Sequence, residues 1–361
     1  MKITIAILFL CLTVKGLSNG TLNDTARIAF YNVENLFDYF KDSIKNDDAW
    51  TPRGANRWTK ARYEKKQKNL FKAIAALGGE QPLAILGLCE IENKKVLRDL
   101  VRGTPLRKHN YQYIHYESAD SRGIDVAMIY RPDLFRVLEH YPILLIVPPD
   151  TVSRTRDFLY VKGILFQRDT LHLIICHFPS KFGGLMQTVD RRAFAGQLLR
   201  QEVNRILKEN PTANIITMGD FNDEPSDESI AVAFGSRCDT ANFQPTDMLN
   251  LMCRFEGKKG SHKFRETWSI IDQIMISKSL VKNIKGLSVS GQKAHIFEAD
   301  FLLEDDRVNM GKKPFRTYIG PRYHGGFSDH LPVFINVVSS DRKAQNYEEV
   351  NNRACELNEV K

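Results

Sequence analysis

The chain has 361 residues, 43% of them hydrophobic and 26% charged, a balance that excludes a disordered or fibrous protein and admits one large domain or two medium ones. The formal charge of +8 suits a polyanionic partner or an anionic membrane surface and demands neither. Beyond Cys11, five cysteines remain, a sparse odd set that excludes a disulfide framework or a zinc finger. Cys89 and Cys176 read as inert core residues, and Cys238 with Cys253 is the one pair eligible for a bridge.

In chain order, Met1 to Val14 is an apolar run behind one early lysine, followed by Lys15 and the small residues Gly16, Ser18 and Gly20. This is the pattern of a secretory signal peptide over 1–20, too short to span a bilayer. The mature protein is therefore expected to be exported, with a net charge of +6 once Lys2 and Lys15 are gone. No later stretch reads as a transmembrane segment. Residues 27–31 read as a first strand that empties into Asn32-Val33-Glu34-Asn35. A loop with Trp50, Pro52, Gly54 and Trp58 leads to a helix over 59–77. Its apolar residues fall near helical spacing opposite a lysine-rich face expected to be solvated, and Gly78-Gly79 stops it. Residues 83–89 form a buried strand ending on Glu90, which on its own reads as a cap for the short helix that follows. In the strand around 124–130, Asp125 needs a partner if buried, and Arg122 or Arg131 would serve.

Further strands are expected over 141–147, 158–166 and 171–177. The last ends on His177 and a glycine-rich, anion-friendly exit, Ser180-Lys181-Phe182-Gly183-Gly184. A lone histidine there reads first as structural. A helix over 191–210 follows. The apolar run 215–218 is a buried strand; Gly219 would let the backbone turn tightly, and Asp220 and Asn222, two residues apart, would project to one side. Taken alone, this is equally a polar β-turn. The segment 226–265 resists assignment. In the strand 267–277, Asp272 interrupts an apolar run, an expensive place for a carboxylate without a hydrogen-bonding partner such as a histidine. After a variable stretch over 280–323, Ser328-Asp329-His330 leads into a last strand over 333–338, and 341–361 is a polar tail. Strands outnumber helices and no linker or repeat intervenes, so 21–340 reads as one layered α/β sandwich domain.

Asn32, Glu90, His177, Asp220 with Asn222, Asp272, and Asp329 with His330 thus leave six strand ends. Such a gathering of Asn, Asp, Glu and His points to one shared site. Oxygen ligands dominate and no cysteine cluster competes, so a metal held there would be hard: Mg²⁺, with Mn²⁺ or Ca²⁺ as alternatives.

Tyr31-Asn32-Val33-Glu34-Asn35, Cys89-Glu90, Arg122-Gly123-Ile124-Asp125-Val126-Ala127, His177-Phe178-Pro179-Ser180, Gly219-Asp220-Phe221-Asn222, Ile271-Asp272-Gln273-Ile274 and Ser328-Asp329-His330-Leu331-Pro332 resemble, in this order, the motifs of the endonuclease/exonuclease/phosphatase superfamily. The resemblance runs from about Arg27 to Val338. It implies a four-layer sandwich of two packed, mainly antiparallel β-sheets flanked by helices, acting as a monomeric, metal-dependent phosphoester hydrolase. It further implies that Glu90 binds Mg²⁺ with Asn32 and Asp329, and that Asp220 aligns or deprotonates the attacking water. Asn222 would hold a non-bridging oxygen, His330 oriented by Asp272 would act in acid/base or phosphate-binding capacity, and His177 would contact the scissile phosphate. Whether Asp220 or His330 is the base stays open. The basic balance favours nucleic acid as substrate over lipid or sugar phosphates, which need the same core with different loops at 50–58 and 297–323. A non-catalytic binding module is the third reading, disfavoured because every matching position is chemically intact.

Overall fold

The structure is a computed structural model that describes residues 24–147, 155–181 and 184–340; the expected signal peptide and polar tail lie outside them. In chain order the strands are β1 (Thr25–Leu36), β2 (Ile85–Ile91), β3 (Gln112–His115), β4 (Asp125–Tyr130), β5 (Phe135–Ile143), β6 (Phe158–Leu165), β7 (Asp169–His177), β8 (Asn214–Asp220), β9 (Ser236–Arg237) and β10 (Met248–Asn250). They continue with β11 (His262–Phe264), β12 (Thr267–Ser269), β13 (Asp272–Ser277), β14 (Leu287–Ile296), β15 (Leu303–Asp305), β16 (Lys312–Pro314), β17 (Tyr318–Ile319), β18 (Arg322–Tyr323) and β19 (Val333–Ser339). The α-helices are α1 (Lys60–Gly78), α2 (Lys94–Gly103), α3 (Leu185–Glu209) and α4 (Lys278–Lys282).

One large sheet has the order β14-β19-β1-β2-β4-β3, the other β5-β6-β7-β8-β13-β10-β9. Pairing is mainly antiparallel, with β1–β2, β7–β8 and β9–β10 parallel. The two-residue period of a strand sorts the apolar residues into layers. Ile28 and Phe30 of β1, Leu173 and Ile175 of β7, Ile216 and Met218 of β8, and Ile274 and Ile276 of β13 form the core between the sheets. Their alternates pack outward, Ala29 and Tyr31 in one outer cluster with Leu70, Ile74 and Leu77 of α1 and Leu97 of α2. On the other face, Ile174 and Cys176 meet Leu199, Val203 and Ile206 of α3. The result is helix, sheet, sheet, helix: the expected four layers, with two mixed sheets.

Several local expectations are corrected. Gly219 makes no turn; it lies inside β8, where a Cβ would come within 2.3 Å of Cys176 O on the parallel neighbour. The cap of α2 is Asn93, whose side chain accepts from Val96 N, so Glu90 is free for another task. Asp125 is bonded by Ser118 N and Oγ and faces His115 Nε2 at 3.4 Å; Arg122 and Arg131 turn to Asp120 and Asp133 instead. The lysines of α1 are not all solvated: Lys66 lies on its buried side and is 1% exposed. The strand expected over 141–147 is β5, shifted towards the N-terminus because pairing with β6 sets its bounds, and the exposed run Leu138-Glu139-His140 in its middle masks the signal. Cys238 and Cys253 form a disulfide. No helix among the described residues is long and apolar enough to cross a membrane.

Candidate active site

The site is where the inner rows of both sheets run out of apolar residues. Continuing each row by two residues, Ile28-Phe30 reaches Asn32, Leu173-Ile175 reaches His177, Ile216-Met218 reaches Asp220, and Ile276-Ile274 reaches Asp272. Register aligns the ends: His177 and Asp272 both pair with Asp220, one on each side. These four polar side chains are at most 2% exposed, so each needs partners. Asn32 Nδ2 donates to Asp220 Oδ2 at 3.0 Å, and Asn222 N donates to Asp220 Oδ1 at 2.9 Å. His177 Nε2 lies 3.6 Å from Asp220 Oδ2.

His330 enters from the loop before β19. Ser328 Oγ donates to Asn32 O and accepts from His330 N, tying this loop to β1. His330 Nδ1 is 2.7 Å from Asp272 Oδ2, and Nε2 lies 3.4 Å from Asn32 Nδ2 and 3.8 Å from Asp220 Oδ2. Burial works against an imidazolium here, but Asp272, Asp220 and Asp329 outweigh it and push His330 well above the usual histidine range. Asp220 is pushed up to about 7 by burial, with His330 pulling it down and Asp272 raising it further. Burial, then Arg156, Arg122 and His330, push His177 well below the histidine range, so it is neutral, and its buried Nδ1 has no hydrogen-bond partner among the described residues. Arg156 orders this corner: it donates to the carbonyls of His177 and Phe178 and pairs with Asp120 at 3.1 Å.

Glu90 reaches the site by a backbone irregularity. The pairing of β2 shifts register between Cys89 and Ile91, and that of β1 between Asn32 and Leu36. Glu34, Asn35 and Glu90 are all left-handed, at φ 50, 53 and 64°, a strained state for such residues that bulges use to re-aim side chains. Asn35 N donates to Glu90 Oε2 at 2.8 Å. Asp329 gives Oδ2 to Arg316 Nη2 at 2.9 Å, while its Oδ1 lies 3.9 Å from His330 Nε2.

Asn32, His177, Asp220, Asn222, Asp272 and His330 therefore share one network with Asp329, while Glu90 stands on β2, held by Asn35 N. Two amides are already engaged. Asn32 Oδ1 accepts from Glu34 N, and Asn222 Nδ2 donates to Phe178 O at 3.0 Å. The chemistry of Glu90 and Asp329 suits a hard divalent cation: beyond their bonds to Asn35 and Arg316, Glu90 Oε1 and Asp329 Oδ1 accept no hydrogen bond among the described residues. Asp329, His330 and His262 also present ligand atoms within 4.8 Å of one another. Sequence reasoning missed Glu34, Lys66, His262 and Arg316. Glu34 is 3% exposed, accepts from Thr317 N and Arg316 Nε, and is pushed up to about 7 by burial and Asp329 against Lys66 and Arg316. His262 bridges in register to His330, with their rings 4.8 Å apart. Of these, Glu34 carried a signal, two residues beyond Asn32, and Lys66 another, as a lysine on the apolar stripe of α1.

Solved structures share the fold. An endonuclease/exonuclease/phosphatase family protein from Bacteroides thetaiotaomicron is 16% identical over 88% of this chain and 99% of its own, with a TM-score of 0.54. A mannosyl-6-phosphatase from the same organism is 16% identical over 87% and 99%, TM-score 0.53. D. rerio TDP2 complexed with single-strand DNA product is 16% identical over 87% and 98%, TM-score 0.51. No curated protein sequence matches. The sequence model of the Endonuclease/Exonuclease/phosphatase family matches residues 27–339. The chain belongs to that family of phosphoester hydrolases.

Proposed function

We propose that the chain is an exported, Mg²⁺-dependent hydrolase that cleaves a phosphoester by water attack at phosphorus, in the first reading a nuclease or phosphodiesterase. The observation that carries this is the convergence of His177, Asp220 and Asp272 in one register row with Asn32 and His330 closing over Asp220. Asp220, held by Asn32 and Asn222, has the geometry to orient a water and take its proton. His330, backed by Asp272, presents Nε2 to the same space, where a positive charge stabilises negative charge developing on the phosphate. Neutral His177 is suited to hydrogen-bond a phosphate oxygen. A hard divalent cation on Glu90 and Asp329 supplies Lewis-acid charge to the phosphate when bound.

The nuclease reading draws on the basic balance of the chain and on the DNA product held by one structural relative. A second reading, a phosphatase acting on a terminal phosphate monoester, is favoured by the cation Arg316 beside Asp329, and one relative is a mannosyl-6-phosphatase. Export rests on the apolar N-terminal run, and the disulfide fits an oxidising compartment.

The test is a hydrolysis panel on the mature protein with Mg²⁺. Bis-p-nitrophenyl phosphate and plasmid DNA are set beside p-nitrophenyl phosphate, sphingomyelin and inositol phosphates, with EDTA and His330→Ala as controls. Glu90→Ala is expected to lower activity on the order of a thousandfold and to weaken Mg²⁺ binding with the circular dichroism spectrum unchanged. Full activity in that variant would overturn the metal assignment.

A further inference from the structure

Arg316 is held more firmly than a surface arginine. Phe327 N donates to Phe315 O at 2.6 Å and Gly326 N to Arg316 O at 3.2 Å. A side chain at Gly326 would come within 2.1 Å of Phe315 O, so only glycine lets these segments lie so close. Lys66 Nζ of α1 bonds Thr317 Oγ1 and Phe327 O, both at 2.5 Å. The clamp ends just before Asp329 and His330. From it the guanidinium gives Nη2 to Asp329 Oδ2 at 2.9 Å and Nε to Glu34 Oε1 at 3.4 Å. Nη1 has no hydrogen-bond partner among the described residues, and the side chain is 38% exposed.

An arginine fork anchored along one edge, with the remaining nitrogen open at the rim of a phosphoester site, is pre-organised to bind a phosphate oxygen. We propose that Arg316 is a specificity-determining residue whose open Nη1 binds an unesterified oxygen of a terminal phosphate monoester, so that the site selects monoesters over diesters. This rests on the phosphoester-hydrolase reading and decides between its two substrate classes. A diester brings one negative charge and two unesterified oxygens. A monoester brings a third such oxygen and, above its second pKa of about 6, nearly two charges. Arg316 offers the additional cation and donor for that oxygen. Lys66, buried in the same network, shares with Arg316 the balance of Glu34 and Asp329.

The test is isothermal titration of the mature protein in Mg²⁺ with inorganic phosphate and with dimethyl phosphate, for the wild type, Arg316→Met and Arg316→Lys. Arg316→Met is expected to weaken phosphate binding about tenfold or more, the range for a hydrogen bond to a charged group, and dimethyl phosphate about twofold or less. The ratio of kcat/KM for p-nitrophenyl phosphate to that for bis-p-nitrophenyl phosphate should fall by a similar factor. Equal weakening of both ligands would mean that Arg316 acts only by holding Asp329, and would overturn the proposal; so would unchanged phosphate binding. If Arg316→Met does not fold, Arg316→Lys, which keeps the charge and loses the fork, carries the same comparison. Binding is read without turnover. An inactive wild type that still binds phosphate through Arg316 would sink the hydrolase reading and leave this one standing.

Discussion

Asp272 has none of its surface exposed; one oxygen is 2.7 Å from His330 Nδ1 and the other has no hydrogen-bond partner among the described residues. A buried carboxylate costs several kcal/mol unless compensated, so its charge is expected to hold the His330 ring in one tautomer and favour the imidazolium. Asp272→Asn removes the charge at constant shape. It is expected to lower kcat on the order of 10²- to 10⁴-fold with KM little changed and the fold retained; an unaffected rate would remove the pair from the mechanism. His172 lies outside the site and makes a different prediction. Its Nδ1 is 2.8 Å from Tyr160 Oη, and burial, then Lys162 and Arg205, push it down to about 4. An ordinary histidine titrates near 6.5, so between these values the unfolded chain binds more protons than the folded one. Stability is therefore fully present above about 6.5 and is lost as pH falls towards about 4, with a slope of up to about 1.4 kcal/mol per pH unit. Urea titrations across that window should show a shallower slope in His172→Gln than in the wild type, and equal slopes would refute the assignment.

β8 is the element that sets the geometry, because its last residue, Asp220, is fixed by partners on both sides. Gly219 permits the approach of β7. Gly219→Ala would set a Cβ 2.3 Å from Cys176 O, and an overpacked core commonly costs about 1–3 kcal/mol. The variant should melt earlier and lose more activity than that loss of stability explains, since His177 and Asp220 move apart; full activity at normal stability would contradict the close packing. How legible this was in the sequence depends on the element. Strand ends at Asn32, Glu90, His177, Asp220 and Asp272 stood out because an apolar run stops on a polar residue. That the rows ending on Asn32, His177, Asp220 and Asp272 share the inner face follows from counting by twos along each strand, whereas Glu90 continues the outer row of Leu86 and Leu88 and arrives through the register shift. What did not stand out was set by tertiary contact. Lys66 falls on the buried stripe of α1, three residues after Tyr63 and four before Leu70, but spacing does not show the Thr317 and Phe327 oxygens that let a lysine sit there. Arg316 lies in a segment whose short hairpins, β15 to β18, are stabilised by packing more than by pattern. β14 was hidden for a similar reason: its middle is exposed, and its pairing with β19 slips between Val289 and Ala294.

At the scale of the whole molecule, one covalent tie braces the long excursion between β8 and β13. Cys238 and Cys253, 15 residues apart, join the segment after β9 to the turn after β10, at the margin of the second sheet. Closing a loop of that length stabilises by about 3 kcal/mol in the chain-entropy view. The double variant Cys238→Ser, Cys253→Ser should lose an amount of that order in denaturant titrations, and reduction of the wild type should reproduce it; no change in either would show the tie to be superfluous. Asn32, His177, Asp220 and Asp272 are the last course of the same side-chain rows that hold the sheets together, whereas separate two-stranded hairpins stand at β11–β12, β15–β16 and β17–β18, the first bridging to His330 and the last two flanking Arg316. Descent with change is thereby divided in two. The floor can drift only by altering the interior that every descendant needs in order to fold, while the hairpins are free to be exchanged, lengthened or recharged. A change in the hairpins is therefore expected to alter what the site accepts more readily than the chemistry at its floor.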